Sequence, residues 1–287
     1  MKNQGLMLIA MLLALLVWAG RTAGADVVLV ENGTAKAVIV TFTDSPTCSE
    51  AAKELQGYLE KMSGAILPVT TKAAAAPATT TRILVGLAED LADNLKRGAR
   101  ETMNWNGFRL LAEAPKEGLG LVVIAGHDND GLRFGVYEFL ESLGCRWYFP
   151  GELGEHVPRR PTVRVRAQDE VHNPDLVKRS IGLLYGGRPK WQDSQYETWY
   201  RRNRMGGLEV QMGHALHYII PPAEFAEDHP EYFPLWQGRR HNPIEDGGRW
   251  QPCTSNPDVI EIAARKAISY FAGRKPDRYA YSISPND

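Results

Sequence analysis

Three groups of side chains in this 287-residue chain have types and spacings that could do chemistry. The first is Asn286-Asp287, which follows the run Arg278 to Ser284, a predicted strand. A carboxyl with a raised pKa can protonate a leaving group, the task of a general acid. The bland alternative for Asp287 is a solvated residue at the chain end. The second group is His214 and His217. On a strand, positions i and i+3 point to opposite faces, and no third ligand stands at a helpful spacing, so no metal site is expected. That leaves hydrogen bonding to a polyhydroxylated ligand by one of them, or a structural role. The third group is aromatic and dense after residue 180: Tyr185, Trp191, Tyr196, Trp199, Tyr200, Tyr218, Tyr232, Phe233, Trp236 and Trp250. Aromatic faces stack on flat apolar partners, the C–H faces of sugar rings among them. Trp199 and Tyr200 fall on a predicted helix and read as packing residues. Trp191, Trp236 and Trp250 fall in predicted loops near Gly, Pro and charge, and are the better platforms. Arg239-Arg240 beside Trp236 reads as a solvated turn rather than an acid-sugar clamp.

The elements that must position these groups follow from periodicity. Val27 to Val30 and Ala37 to Phe42 read as strands joined by the Asn32-Gly33 turn. Ser49 to Met62 has helical spacing and stops at Gly64, a residue suited to the left-handed C-terminal position. Further strands are expected at Leu67 to Thr70, Arg82 to Val85, Gly107 to Ala112, Leu119 to Ala125, Arg146 to Phe149 and Val163 to Val165. A second helix is expected at Asp130 to Leu143, and a low-complexity loop at Ala73 to Thr81. This rhythm predicts a mixed-sheet α/β domain over 26–167. Pro-rich sequence from Pro150 to Pro161, and then Asn173-Pro174, separates it from a region over 175–287. There, strands at Val177 to Tyr185, Leu208 to His217 and Arg278 to Ser284 alternate with helices at Tyr196 to Met205, Pro222 to Tyr232 and Asn256 to Phe271. Such alternation predicts parallel β/α units, and the fold class expected is α/β: a mixed-sheet domain followed by an incomplete TIM (β/α) barrel. A barrel takes about 250 residues. The region from Val177 onward is far shorter, so a fragment that is inactive alone is expected. In a barrel the functional residues lie at the C-terminal ends of strands, which singles out Tyr185, the His214 to His217 stretch and Asn286-Asp287.

The chain's surroundings are also legible. Lys2, the apolar stretch Leu6 to Ala19 and Ala23-Gly24-Ala25 form a signal-peptide pattern over 1–25, with cleavage before Asp26. The apolar stretch is shorter than the ~20 residues of a spanning helix, so export to the periplasm, cell surface or medium of a bacterium is expected, with no integral membrane span after cleavage. With 33 basic and 34 acidic residues the net charge is -1, which gives no electrostatic reason to expect nucleic acid as a partner. Cys48, Cys145 and Cys253 are an odd set for an exported chain and lack metal-ligand spacing. No disulfide pairing follows from them, and no cofactor is expected.

Two segments carry a resemblance. The first is Gly126-x-Asp128-x-x-Gly131-x-x-Phe134-Gly135-Val136-Tyr137-Glu138-Phe139-Leu140-Glu141-x-Leu143-Gly144-Cys145-Arg146-Trp147-Tyr148-x-Pro150-Gly151. It resembles the N-terminal domain of an uncharacterised family of exported bacterial proteins. That domain is similar to the non-catalytic domain preceding the barrel in family 20 β-hexosaminidases and in α-glucuronidases. The second, His229-Pro230-Glu231-Tyr232-Phe233-x-Leu235 followed by Cys253-x-Ser255-Asn256-Pro257, resembles the barrel part of the same family. The resemblance implies a glycoside hydrolase with a carbohydrate substrate, on N-acetylhexosaminides or uronic sugars. In the hexosaminidases an Asp-Glu pair ends the corresponding strand: the Asp orients the substrate's acetamido group and the Glu is the acid. Asn286 would take the first place and Asp287 the second, a departure at both positions. Arg179 is implied as the residue that binds sugar hydroxyls. Glycoside cleavage ordinarily takes two carboxyl groups, whereas substrate-assisted members need one. A carbohydrate-binding protein without catalysis is the alternative.

Overall fold

The computed structural model describes residues 26–71, 80–95, 102–114, 119–181, 190–210, 213–247, 250–273 and 278–286, with backbone alone at 190–193, 209–210 and 278–279. The expected leader over 1–25 lies outside these. The described residues form two compact units: one holds those up to Asp175 together with Ile181–Met205, the other Leu176–Ser180 with Gly206 onward.

The first unit opens with β1 (Val27–Glu31), β2 (Thr34–Ala35) and β3 (Ala37–Thr41), then α1 (Pro46–Ser63), β4 (Val69–Thr70) and β5 (Thr81–Leu87). It continues through β6 (Phe108–Glu113), β7 (Leu121–Gly126), α2 (Asn129–Ser142), β8 (Arg146–Trp147), β9 (Glu155–His156), β10 (Val163–Val165) and β11 (Gln168–His172). Its main sheet has six strands in the order β11-β6-β7-β5-β3-β4. The β4, β3, β5 and β7 neighbours run parallel, and β6 and β11 are added antiparallel. The mixed α/β architecture is therefore the one periodicity predicts. Asn32-Gly33 does turn a hairpin, with both residues at positive φ, but it joins β1 to β2. β3 leaves it for the main sheet, while β1 pairs with β10.

The apolar runs of β3, β5 and β7 divide by the two-residue period of a strand. Ile39, Ile83, Val85, Val122 and Ile124 enter one core with Leu55, Leu59 and Phe139 from the helices. Val38, Val40, Leu84, Val123 and Ala125 enter another on the opposite face. Strands buried on both faces read as continuous hydrophobic runs, the mark of parallel sheets. Gly64 closes α1 in the left-handed conformation, its N–H donating to the Glu60 carbonyl at 2.7 Å.

The motif that opens at Gly126 is explained by packing. Asp128 caps α2, Oδ1 accepting from Gly131 N–H at 2.8 Å and Oδ2 from Asn106 N–H at 2.7 Å. A Cβ on Gly131 would lie 2.2 Å from the Gly107 carbonyl oxygen, and one on Gly126 would lie 2.2 Å from Leu132 N. The strand-to-helix turn is too tight for a side chain at either position.

Between β11 and the end of the first unit come β12 (Lys178–Arg179), which belongs to the second unit, and α3 (Lys190–Arg202). The second unit adds β13 (Gly206–Gly207), β14 (Glu209–Val210), α4 (Leu216–Ile219), α5 (Pro222–Phe225), β15 (Leu235–Trp236), β16 (Arg239–Arg240), α6 (Pro257–Ala272) and β17 (Arg278–Ala280). β14 and β17 pair in parallel, and His214 bridges Ser284 in the same sense. With α6 between them they make one β/α step of the kind a (β/α) barrel repeats.

Several expected elements are shorter than periodicity suggests. Of the strand expected at Val177 to Tyr185, the described residues 177–181 hold the two-residue β12, which runs antiparallel to β13, and the rest lies outside the described residues. Gly206 and Gly207, both at positive φ, turn the backbone back along β12, and a Cβ on Gly207 would lie 2.2 Å from the Val177 carbonyl oxygen. The strand at Leu208 to His217 ends early because Leu216, Ile219 and Ile220 bury one helical face against Tyr232, Phe233 and Val259. The helix at Pro222 to Tyr232 divides into α5 and a single 3-10 turn that begins at Pro230. α6 begins as predicted, with Pro257 in its first turn and Asn256 Oδ1 accepting from Asp258 N–H at 2.8 Å.

Candidate functional site

In the second unit, two chain segments converge on residues 284–286. The first is 213–217. Its Ala215 N–H donates to the Ser284 carbonyl at 3.1 Å, and the Gly213 carbonyl accepts from Ser282 Oγ at 2.7 Å. His214 Nδ1 lies 2.8 Å from the Pro285 carbonyl oxygen. A carbonyl can only accept, so this nitrogen carries the proton. The second is Trp250-Gln251. Gln251 Oε1 accepts from Asn286 N–H at 2.9 Å, and its Nε2 donates to the Asn286 carbonyl at 2.5 Å. The Asn286 side chain joins the two segments. Its Nδ2 donates to the Trp250 carbonyl at 3.1 Å, and its Oδ1 accepts from His217 N–H at 2.8 Å and faces His217 Nδ1 at 3.0 Å.

His214 and His217 therefore do not alternate across a strand. One sits at a bridge and the other on α4, and both rings reach the same terminal segment. The exposed ring of Tyr218 lies 3.7 Å from that of His217, centroid to centroid. The binding residues predicted from sequence left Tyr218 out. The signal that marks it is its place on α4, away from the buried stripe of Leu216, Ile219 and Ile220.

The other predicted residues are spread out. Trp236 is 67% exposed on the β15–β16 hairpin. Beside it Arg239 forms a two-pronged pair with Asp246, at 2.9 and 2.7 Å, and this together with the Asn242 N–H holds the Asp246 carboxyl down at about 2. Arg240 Nη1 donates to the Phe233 carbonyl at 2.8 Å. The Trp250 ring packs on Phe233 at 5.2 Å, and the residue borders the buried cluster of this unit. Arg179 Nη1 donates to the Leu176 carbonyl at 2.8 Å. Trp191 falls inside α3 rather than in a loop. Its side chain, like Tyr185 and Asp287 altogether, lies outside the described residues. Among the described residues no group of three or more His, Cys, Asp or Glu is arranged to hold a metal ion.

The first unit holds a separate polar cluster where α3 meets α1, α2 and β9. Glu155 accepts from Tyr58 Oη, from Lys61 Nζ at 2.6 Å and from Arg202 Nη1 at 3.2 Å. Arg202 also donates to Glu54 at 3.1 Å, and Trp147 Nε1 donates to Tyr58 Oη at 2.8 Å. Burial works against ionisation of Glu155, yet its hydrogen bonds from Lys61 and Tyr58 and the charges of Lys61 and Arg202 hold its carboxyl below the usual range. Burial, and next the Glu155 hydrogen bond, push the Tyr58 hydroxyl well above the ordinary tyrosine value. An open cavity of about 330 Å³ adjoins this cluster, bordered by Lys61, Glu155, Gln195 and Arg202. Trp199, read from sequence as a packing residue, donates its indole N–H to the Trp147 carbonyl at 2.9 Å.

Residues 28–139 match the glycosyl hydrolase family 67 N-terminus, and residues 149–287 match the domain of unknown function DUF4838. The chain resembles the glycoside hydrolases. The solved structures similar at low identity include the following three. One is a mutant Streptomyces plicatus β-hexosaminidase in complex with GlcNAc, at 20% identity over 54% of this chain and 25% of that one, with a TM-score of 0.34. Another is a family 115 4-O-methyl-α-glucuronidase with specificity for decorated arabinogalactans, at 18% identity over 63% and 25%, with a TM-score of 0.45. The third is Streptomyces plicatus N-acetyl-β-hexosaminidase in complex with Thio-NAglucal, at 16% identity over 90% and 56%, with a TM-score of 0.43. The chain thus spans between a quarter and just over half the length of these proteins. No curated protein sequence matches it.

Proposed function

We propose that this chain belongs to an exported glycoside hydrolase-like protein that handles polysaccharide or glycan sugars, N-acetylhexosaminides or uronic sugars among them. The observation that carries the reading is the match of residues 28–139 to the N-terminal domain of a glycosyl hydrolase family, in one chain with a β/α unit. Convergence of His214, His217 and Asn286 at one end of that unit supports a ligand site there. In this reading Asp287 is the proton donor, and Arg179, Tyr185, Trp191, Trp236 and Trp250 contact sugar. The leader pattern over 1–25 supports export. Among the described residues no helix is long and apolar enough to cross a membrane.

A second reading is carbohydrate binding without catalysis. It is favoured by the amide at position 286, where the hexosaminidase pattern has a carboxylate: an amide cannot offset positive charge that develops in a substrate-assisted transition state. Both readings are tested by incubating the full-length protein to which this chain belongs with aryl N-acetylglucosaminides and aryl glucuronides, alongside calorimetric titration with the free sugars. Turnover that is abolished in Asp287→Asn supports the hydrolase. Binding without turnover supports the second reading, and neither binding nor turnover refutes both.

A further inference from the structure

We propose that Asn286 is a positioning residue. It acts through His217, holding that imidazole as the Nδ1–H tautomer so that Nε2 accepts a hydrogen bond from a neutral, hydroxyl-bearing sugar. The proposal rests on the carbohydrate reading for its ligand, while its positioning half stands on geometry alone.

The assignment follows from backbone groups whose roles are not ambiguous. The Trp250 carbonyl can only accept, so the Asn286 atom 3.1 Å away is the amide nitrogen. The His217 main-chain N–H can only donate, so the atom 2.8 Å from it is Oδ1. The two constraints agree on one orientation of the amide. Oδ1 then faces His217 Nδ1 at 3.0 Å, a hydrogen bond only if that nitrogen carries the proton. In a neutral imidazole the other nitrogen is then the acceptor, since the bond made by one nitrogen sets the role of the other. The paired bonds between Gln251 and the Asn286 main chain keep the amide from swinging away. The exposed Tyr218 ring lies beside the His217 imidazole, and an aromatic ring next to a hydrogen-bonding ring suits a sugar with its hydroxyls. A lone pair at this position repels a carboxylate, so uronic sugars are disfavoured here while the ring is neutral.

The test uses the full chain labelled with 15N-histidine at pH 8, with the His217 resonances assigned by their loss in His217→Gln. Wild type should show a protonated Nδ1 and an unprotonated Nε2. Asn286→Leu, which removes the acceptor, should shift His217 toward the Nε2–H form. Asn286→Asp, which keeps an oxygen there, should restore the wild-type pattern. A protonated Nε2 in wild type, or a pattern unchanged in a folded Asn286→Leu, overturns the positioning role, and the wild-type spectrum decides even if that variant does not fold. N-acetylglucosamine should move the Nε2 resonance and glucuronate should not. Affinity for N-acetylglucosamine should fall about five- to tenfold in Asn286→Leu, the scale of one neutral hydrogen bond. Equal shifts with glucuronate overturn the ligand class. If neither sugar binds, the carbohydrate reading fails together with the ligand half, while the tautomer result still judges the positioning half.

Discussion

Replacing Glu155 by Gln tests how much the charged cluster beneath α3 contributes to the stability of the first unit. The substitution keeps shape and one acceptor but removes the charge that Lys61 and Arg202 face. The Glu155 side chain is only 14% exposed and that of Arg202 21%, so water replaces the lost carboxylate poorly. Breaking a fully buried pair costs about 3–5 kcal/mol, and a hydrogen bond to a charged group contributes about 1.5–3 kcal/mol. Partial exposure, and the second contact of Arg202 with Glu54, place the expected loss near 2 kcal/mol. For a unit of this size that is a drop in Tm of about 4–8 °C, measured by scanning calorimetry at pH 7. The sign with pH follows from the lowered carboxyl. A group whose folded pKa is depressed contributes stability above its unfolded pKa and loses it as pH falls through the folded value. The gap between wild type and Glu155→Gln should therefore close as pH falls from the ordinary glutamate range downward. Equal Tm values at pH 7, or a gap that persists undiminished in strong acid, would refute the reasoning.

Three further outcomes are expected. Asp128→Ala should lower stability by about 1–2 kcal/mol in urea unfolding, since it removes the α2 cap and leaves the Gly131 and Asn106 N–H groups without their acceptor. In thiol labelling of the native chain Cys253 should react first, because it is partly exposed and its Ser255 and Arg240 contacts lower its pKa. Cys145 should resist, being buried with its thiol pushed up to about 11. Trp236→Ala should leave unfolding within about 0.5 kcal/mol of wild type, as its exposure predicts, and any loss in sugar titration would then report direct contact.

How much was legible depended on how far apart the interacting residues lie in the chain. The central strands of the first domain read clearly because each is a short apolar run between turn signals, as with Ile83 to Val85 and Val122 to Ile124. β11 was missed: Gln168 to His172 is polar, and it is a strand only because β6 offers a free edge to pair with. The helix start at Asn256-Pro257 was legible because a cap is a local event. The expected strand from Leu208 to His217 was not, since what bends it into α4 is burial against Tyr232, Phe233 and Val259, later in the chain.

By itself, the order of residues determined the turns, the caps and the two-faced apolar runs, because each depends on neighbours within a few positions. It also supplied the inventory of histidines, tryptophans and terminal amide from which a site can be built. Only the tertiary structure decided which of these meet. His217 and Asn286 are 69 positions apart, and the hydrogen bonds that set one ring's tautomer arise from the parallel return of the chain that brings Ser284 beside His214. Proton placement on a histidine depends on the atom facing it, and that atom is supplied by the fold.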